Sequence, residues 1–155
     1  MLRRGPKAGL KAPTGDRRAA PYNPPMTSSY FRGDDHVAPV RIHADREART
    51  LRIEWADGHV SVFDFDRFRW LCPCAYCRGE AGLPGWLDSN PTLTAEQTRL
   101  VSIDPVGGYA IAPSWGDGHH TGYYTFTALR AHCPCPACVD ERAATGHPES
   151  PSARG

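Results

Sequence analysis

Apolar and polar residues alternate on both sides of an Asp-Gly pair in the stretch LRIEWADGHVSVFDF, residues 51–65. A period of two is typical of β-strands, and Asp-Gly between two such runs is a strong signal for a β-hairpin. A two-residue type I′ turn at this pair would place Trp55 opposite Val60. We therefore predict that His59 points away from the core face of the hairpin. That face is predicted to carry Leu51, Ile53, Trp55, Val60 and Val62.

The same pattern returns in the second half of the chain. A shift of 60 positions aligns WADGH at 55–59 with WGDGH at 115–119. After a one-residue insertion, a shift of 61 positions aligns two segments that each end in C-P-C-x-x-C. This recurrence indicates an internal duplication of a unit containing a strand, an Asp-Gly turn, a strand, a short helix and a cysteine loop. Each helix is expected to end near the proline of its cysteine loop, because the residue before proline disfavours helical backbone.

Three further stretches complete the predicted fold. PVRIHAD (39–45) is predicted to be an edge strand, and VSIDPVGGYAIAPSW (101–115) supplies two more strands. Residues 78–100 read as a long connection rich in glycine and proline. The prediction is an α+β fold, with two duplicated hairpins and the extra strands in one small antiparallel sheet. Short helices carry the cysteine loops, and metal stabilises the domain.

Both ends of the chain lack this periodicity. Residues 1–33 contain seven basic residues and one acidic residue, and five of the 15 prolines lie within residues 6–25. We predict a disordered basic, proline-rich arm over residues 1–36 and a disordered tail over residues 143–155. The 155-residue chain is then expected to contain one metal-binding domain, residues 37–142.

Charge and hydropathy exclude some classes of partner. With 18 basic and 17 acidic residues the net charge is +1, which gives no general attraction to nucleic acid or to an anionic membrane. No apolar run is long enough to cross a membrane. The six cysteines, without a secretory signal, favour a reducing compartment, so we expect a cytoplasmic protein. We expect a protein partner, whose identity and the oligomeric state the sequence leaves open.

The cysteines form two groups of three. Three thiolates within six residues repel one another and are strong ligands for soft metals, so zinc is the expected occupant, with iron or an iron–sulfur cluster as the alternative. Each group lacks a fourth ligand, which one nearby histidine would supply. Such a Cys₃His site is closed and structural in type, because it leaves no position for water or substrate.

The segments LRIEWADGHVSVFDFDRFRWLCPCAYCRGE and YAIAPSWGDGHHTGYYTFTALR resemble the small N-terminal domain of gamma-butyrobetaine hydroxylase and its trimethyllysine-hydroxylating relatives. The resemblance covers about residues 38–140. The family also includes free-standing bacterial proteins of unassigned role, and fusions to P-loop ATPase scaffolds of iron–sulfur cluster assembly. In the hydroxylases the domain binds structural zinc through the cysteine triad and the histidine of the later Asp-Gly-His.

The resemblance implies one metal site and the duplication suggests a second. By the resemblance, the first site consists of Cys72, Cys74, Cys77 and His119. His120, directly after it, is the alternate ligand. If the halves pack about a pseudo-two-fold axis, the second triad meets the histidine of the first half. That hypothetical second site consists of Cys133, Cys135, Cys138 and His59.

An enzymatic role finds little support in the sequence. Iron/2-oxoglutarate oxygenases need a His-x-Asp…His triad within a large second domain. His43-Ala44-Asp45 has the spacing, but the chain has no room for that domain. We therefore expect a small zinc-binding interaction or accessory module without catalytic activity of its own. The alternative is an accessory factor in iron–sulfur cluster assembly or transfer that uses the second triad.

Overall fold

The computed structural model describes residues 38–146. The predicted arm lies outside these residues, as does most of the predicted tail. Within the described part of the chain there are eight strands, all in antiparallel pairs: β1 (Pro39–Asp45), β2 (Thr50–Trp55), β3 (Val60–Asp64), β4 (Gly79–Glu80), β5 (Leu83–Pro84), β6 (Leu100–Val106), β7 (Ala110–Trp115) and β8 (Tyr124–Thr125). The helices are α1 (Phe65–Trp70), α2 (Ala75–Arg78), a 3₁₀ helix (Trp86–Ser89), α3 (Phe126–Ala131) and α4 (Pro136–Ala144).

The internal duplication is visible in the order of these elements. β1, β2, β3, α1 and α2 form the first half, and β6, β7, β8, α3 and α4 repeat them as the second half. Even the edge strands correspond, because the pairing shifts between Pro39 and Arg41 in β1 and between Leu100 and Ser102 in β6. The repeated unit therefore also includes an edge strand, which the sequence alignment of the two halves did not contain.

The predicted α+β class is confirmed, but the hairpins lie in two sheets and not in one. The sheets have the strand orders β1-β2-β3 and β6-β7-β8, and a small third sheet pairs β4 with β5. The halves meet through aromatic side chains: the ring centroids of Phe68 and Trp115 lie 5.5 Å apart, and those of Phe68 and Tyr124 lie 4.6 Å apart. Contacts between side chains of different elements leave no periodic pattern in the sequence. The sequence therefore could not show whether the hairpins lie in one sheet or in two.

The turn of the first hairpin differs from the predicted two-residue turn. The amide of Trp55 donates to the carbonyl of His59 (2.9 Å), and the amide of Gly58 donates to the carbonyl of Trp55 (3.0 Å). The loop therefore contains three residues. Gly58 has φ +83°, as expected for the left-handed residue that ends such a loop. The second hairpin has the same bonds at Trp115, and Gly118 has φ +85°.

The longer loop corrects the predicted core face. Glu54 pairs with Val60 and Ile53 pairs with Ser61, so the register differs by one residue from the predicted one. A slip of one residue moves each side chain of a strand to the opposite face. Val62 is consequently 42% exposed. The face of β2 and β3 that is buried carries Leu51, Ile53, Trp55, Ser61 and Phe63.

The same correction applies to His59. By alternation along β3 it lies on the side of Ser61 and Phe63, and not on the opposite face as predicted. This position at the margin of the core lets the first half reach the second triad.

At the other end of the chain, α4 includes residues 143 and 144, which were predicted to belong to the tail. Within residues 38–146, no helix has the length and apolar character needed to cross a membrane.

Candidate metal centres

The structure brings together the four residues of the first predicted site. The Nε2 atom of His119 lies 3.3 Å from the Sγ atom of Cys72, 3.5 Å from that of Cys74 and 3.8 Å from that of Cys77. All four donor atoms lie within 4.8 Å of one another. We call this group the first cluster. Its triad comes from the first half and its histidine from the second.

The crossed arrangement repeats at the other triad. The Nε2 atom of His59 lies 3.1 Å from the Sγ atom of Cys133 and 3.7 Å from those of Cys135 and Cys138. These donor atoms also lie within 4.8 Å of one another, and we call the group the second cluster. Each cluster thus joins a triad from one half to a histidine from the other half.

Local backbone structure presents each triad on one side of a short helix. Asp64 caps the start of α1, where its carboxylate accepts from the amide of Arg67 (2.7 Å). The helix ends before Cys72, and a new one begins with Cys74 as its N-cap. The amide of Cys77 donates to the carbonyl of Cys74 (3.0 Å). Residues three apart in a helical turn lie on the same face, so both thiols point to one place.

Both clusters fit a single tetrahedral metal ion. Metal–sulfur bonds of about 2.3 Å and metal–nitrogen bonds of about 2.0 Å separate sulfur from nitrogen by about 3.5 Å in a tetrahedron, and two sulfurs by about 3.8 Å. The six nitrogen–sulfur separations range from 3.1 to 3.8 Å. The Sγ atoms of Cys72 and Cys74 lie 3.6 Å apart, far beyond the roughly 2.05 Å of a disulfide. The donor set is therefore that of a mononuclear Cys₃His site.

The aspartate two positions before the histidine of each cluster holds the backbone of that histidine in place. The carboxylate of Asp117 accepts from the amide of His119 (3.0 Å), and the carboxylate of Asp57 accepts from the amide of His59 (2.9 Å). This amide bond is the main cause of the lowered pKa of Asp57, and Arg130 adds to it. The Asp-Gly-His sequence thus combines an aspartate that orients, a glycine that turns and a histidine that meets the triad.

One arginine stands beside each cluster, and both were missed as site residues from the sequence. Arg69 donates to the Sγ atom of Cys77 (3.2 Å) and lies 3.9 Å from Asp117. Its counterpart in the second half, Arg130, donates to the Sγ atom of Cys138 (3.4 Å) and pairs with Asp57. A cation at this place offsets the negative charge of three thiolates. The signal was available, since the two arginines match each other in the duplication.

The electrostatic surroundings favour the metal-binding protonation state of Cys77 and of His119 in the first cluster, but not that of Cys72. Hydrogen bonds from Cys72 and then from Arg69 lower the pKa of the Cys77 thiol to about 5. The pKa of Cys72 is raised, mainly by its hydrogen bond to Cys77 and by burial. Burial and the nearby Arg69 cation lower the pKa of His119. A neutral imidazole and an easily formed thiolate are the protonation states that bind a metal.

The alternate histidine does not join either cluster. His120 is exposed, and its Nδ1 atom lies 2.8 Å from the carbonyl oxygen of Gly118. Sequence reasoning also missed Gly122. A Cβ atom at this position would lie 2.7 Å from the Sγ atom of Cys72. The chain after His119 passes so closely over the first triad that only glycine fits at this position.

The comparisons with known proteins agree with a domain of this type. The chain matches the family model described as gamma-butyrobetaine hydroxylase-like, N-terminal, over residues 42–130. One similar solved structure is a protein of unknown function of the DUF971 family from Acidithiobacillus ferrooxidans ATCC 23270. It has 31% identity, covers 63% of this chain and 94% of its own, and has a TM-score of 0.48.

Two further matches are NMR solution structures. One has 20% identity and a TM-score of 0.50 and covers 77% of this chain and 89% of its own, which supports the fold alone. The other has 22% identity and a TM-score of 0.42 and covers 76% of this chain and 93% of its own. No curated protein matches the chain. Because the family model covers more than half of the sequence, this protein belongs to the gamma-butyrobetaine hydroxylase-like N-terminal domain family.

Proposed function

We propose that this protein is a non-catalytic binding module whose two halves are held together by two zinc ions, one in each Cys₃His cluster. The observation that carries the proposal is the crossed arrangement, in which each triad meets the histidine of the other half. When bound, each ion supplies a tetrahedral cross-link between the halves. Structural zinc contributes on the order of 10 kcal/mol in small domains, which is comparable with the whole stability of a typical domain.

The donor geometry supports a single ion over an iron–sulfur cluster. In an iron–sulfur cluster the protein thiolates bind different iron ions and therefore diverge around several metal centres. In each group found here, four donor atoms lie within 4.8 Å of one another, which suits one ion. Three sulfurs and one imidazole nitrogen are a common donor set for structural zinc. We therefore do not propose a role in iron–sulfur cluster assembly.

The closed donor sets also support the absence of catalysis. Four protein ligands leave no position for a substrate or a reactive water molecule. Among residues 38–146, the two clusters are the groups of side chains that could hold a metal ion. His43 and Asp45, which have the spacing of an oxygenase motif, lie in β1 and belong to neither cluster.

A module of this kind acts through a partner, and we propose a protein. Aromatic side chains are enriched in protein interfaces, and Tyr76 and Tyr123 are 63% and 57% exposed. Tyr76 lies next to the first cluster, with its ring centroid 6.2 Å from that of His119. The next residue, Tyr124, faces inward and is only 2% exposed, so Tyr123 alone of this pair is available to a partner.

Metal content is the decisive measurement for this proposal. The full-length protein, produced with both zinc and iron available, should contain two equivalents of zinc per chain, measured by elemental mass spectrometry. Cys74→Ser and His119→Ala should each lose the first equivalent, whereas Cys135→Ser and His59→Ala should lose the second. His120→Ala is the matched control and should keep both. One equivalent or fewer in the wild type, or the visible absorption of an iron–sulfur cluster, would contradict the proposal.

A further inference from the structure

The two clusters have the same ligands but different protection from solvent. Cys77 is fully buried, whereas its counterpart Cys138 is 8% exposed. The difference is larger for the adjacent arginines, since the side chain of Arg69 is 1% exposed and that of Arg130 is 27% exposed. The duplication makes the two clusters comparable, because the four cluster residues and the arginine beside each triad are equivalent in the two halves.

A segment found in the first half covers the first cluster. This cover segment, residues 79–90, contains β4, β5 and the 3₁₀ helix. The ring of Trp86 lies 5.7 Å from the guanidinium carbon of Arg69 and stacks on Tyr76, with centroids 6.0 Å apart. A Cβ atom on Gly85 would lie 2.3 Å from the carbonyl oxygen of Cys77. The backbone of the cover segment therefore packs directly against the helix that carries the ligand.

The second half has no equivalent of this cover among residues 38–146. After the second triad the chain continues as α4 to Ala144, and the position of Tyr76 is taken by Ala137. The described residues leave a cavity of about 410 Å³ at this place. Its walls include Cys138, the two cations Arg130 and Arg142, and one carboxylate, Glu141.

We propose that the second cluster is the exchangeable metal site of this protein, from which a small anionic thiol removes the ion through this cavity. The first cluster is then the permanent, structural site. The proposal rests on the proposed function, because it requires an ion in each cluster. A thiolate is the donor that competes best with cysteine for zinc. In the cavity two cations, Arg130 and Arg142, stand against the single carboxylate of Glu141, and this excess of positive charge favours a molecule with negative charge.

The exchange is a ligand substitution without any change of oxidation state. In the first substitution the incoming thiolate would donate an electron pair to the ion, and the Cys138 thiolate would leave with its own pair. Further thiolates, or the molecule that accepts the ion, would replace Cys133, Cys135 and His59 in the same way. Arg130, whose Nη1 atom is 3.4 Å from the Sγ atom of Cys138, stabilises the thiolate that leaves. Arg69 offers the same stabilisation to Cys77, so this hydrogen bond does not distinguish the two clusters, whereas access to solvent does. Removal of the first ion requires the cover segment to open locally.

The experiment measures zinc release from the full-length protein loaded with two equivalents. A chromophoric chelator reports free zinc, with and without 3-mercaptopropionate as the anionic thiol. We expect one equivalent to leave fast and the other about tenfold more slowly or slower still, as local opening limits it. The thiol should accelerate the fast phase, and 2-mercaptoethanol, which is neutral, should do so less. His59→Ala should lack the fast phase, and His119→Ala should lack the slow one.

Substitutions in the cover, and at the equivalent place in the second half, test its role. Trp86→Ala and Tyr76→Ala should each raise the rate of the slow phase towards that of the fast phase, whereas Trp86→Phe should retain the slow release. Ala137→Tyr, which restores the aromatic residue found in the first half, should slow the fast phase. Tyr109→Ala removes an exposed ring in neither cluster and should change neither rate.

The outcomes separate this proposal from the proposed function. A wild type with fewer than two equivalents contradicts the proposed function. Two equivalents released with one rate, or a slow phase that disappears in His59→Ala, overturn the assignment of the exchangeable site and leave the two-zinc module intact. Equal acceleration by the neutral and the anionic thiol overturns the ligand class. A slow phase unchanged in both Trp86→Ala and Tyr76→Ala overturns the role of the cover segment.

Discussion

Replacement of Arg69 by methionine should weaken metal binding at the first cluster far more than the matched replacement of Arg130 weakens binding at the second. Arg69 is 1% exposed and donates to the Sγ atom of Cys77 at 3.2 Å. A buried hydrogen bond to a charged group contributes about 1.5–3 kcal/mol. Since each 1.4 kcal/mol is tenfold in affinity, Arg69→Met should lower the affinity by about 10- to 150-fold.

The expected effect at Arg130 is smaller because solvent screens its charge. Its side chain is 27% exposed, and its Nη1 atom lies 3.4 Å from the Sγ atom of Cys138. Exposed charge pairs contribute about 0.2–1 kcal/mol, so Arg130→Met should lower the affinity of the second cluster by no more than about fivefold. Arg69→Lys keeps a cation but not the planar guanidinium, and should give an intermediate loss at the first cluster.

The assay is competition for zinc against a chelator of known affinity. The first cluster is isolated in a His59→Ala background and the second in a His119→Ala background, so each measurement reports one ion. Circular dichroism of the zinc-loaded proteins checks that each variant is folded. Equal losses at the two clusters, or a larger loss for Arg130→Met, would refute the claim that burial determines the contribution of the arginine.

Two further predictions concern the hairpin that delivers His59. Gly58 has φ +83°, a conformation that costs an L-residue roughly 1–2 kcal/mol. Gly58→Ala should therefore lower the melting temperature by about 4–8 °C, and Gly58→Asn by less. Equal melting temperatures of Gly58→Ala and the wild type would show that the turn is not as described. Ser61 is buried and accepts from the indole of Trp55 at 2.9 Å, so Ser61→Ala should reduce the free energy of unfolding by about 1–3 kcal/mol in chemical denaturation. Thr121→Ala, at the equivalent exposed position, is the control and should change it by less than about 0.5 kcal/mol.

The sequence alone determined the units from which this protein is built. Alternating apolar residues around Asp-Gly predicted the hairpins, and the shift between the two halves revealed the duplication. The spacing of Cys72, Cys74 and Cys77 pointed to a metal, because three thiolates so close in sequence have few other uses. The family resemblance and pseudo-symmetry together named two sets of four residues, and the structure gathers each set within 4.8 Å. The ligand role of these residues stays a prediction until metal is measured.

The tertiary structure decided how the units are oriented and which surroundings each cluster has. Asp-Gly is compatible with both a two-residue and a three-residue loop, and only packing of Ser61 and Phe63 against the core selects the register that turns His59 towards the other half. The division into two sheets likewise follows from aromatic contacts such as that of Phe68 with Trp115, which carry no periodic signal. The cover segment looked like an ordinary connection, because its glycines and prolines indicate turns but not what the turns pack against. Whether Arg69 and Arg130 are buried or exposed depends on residues that are distant from them in sequence. Two matching triads therefore acquire different access to solvent.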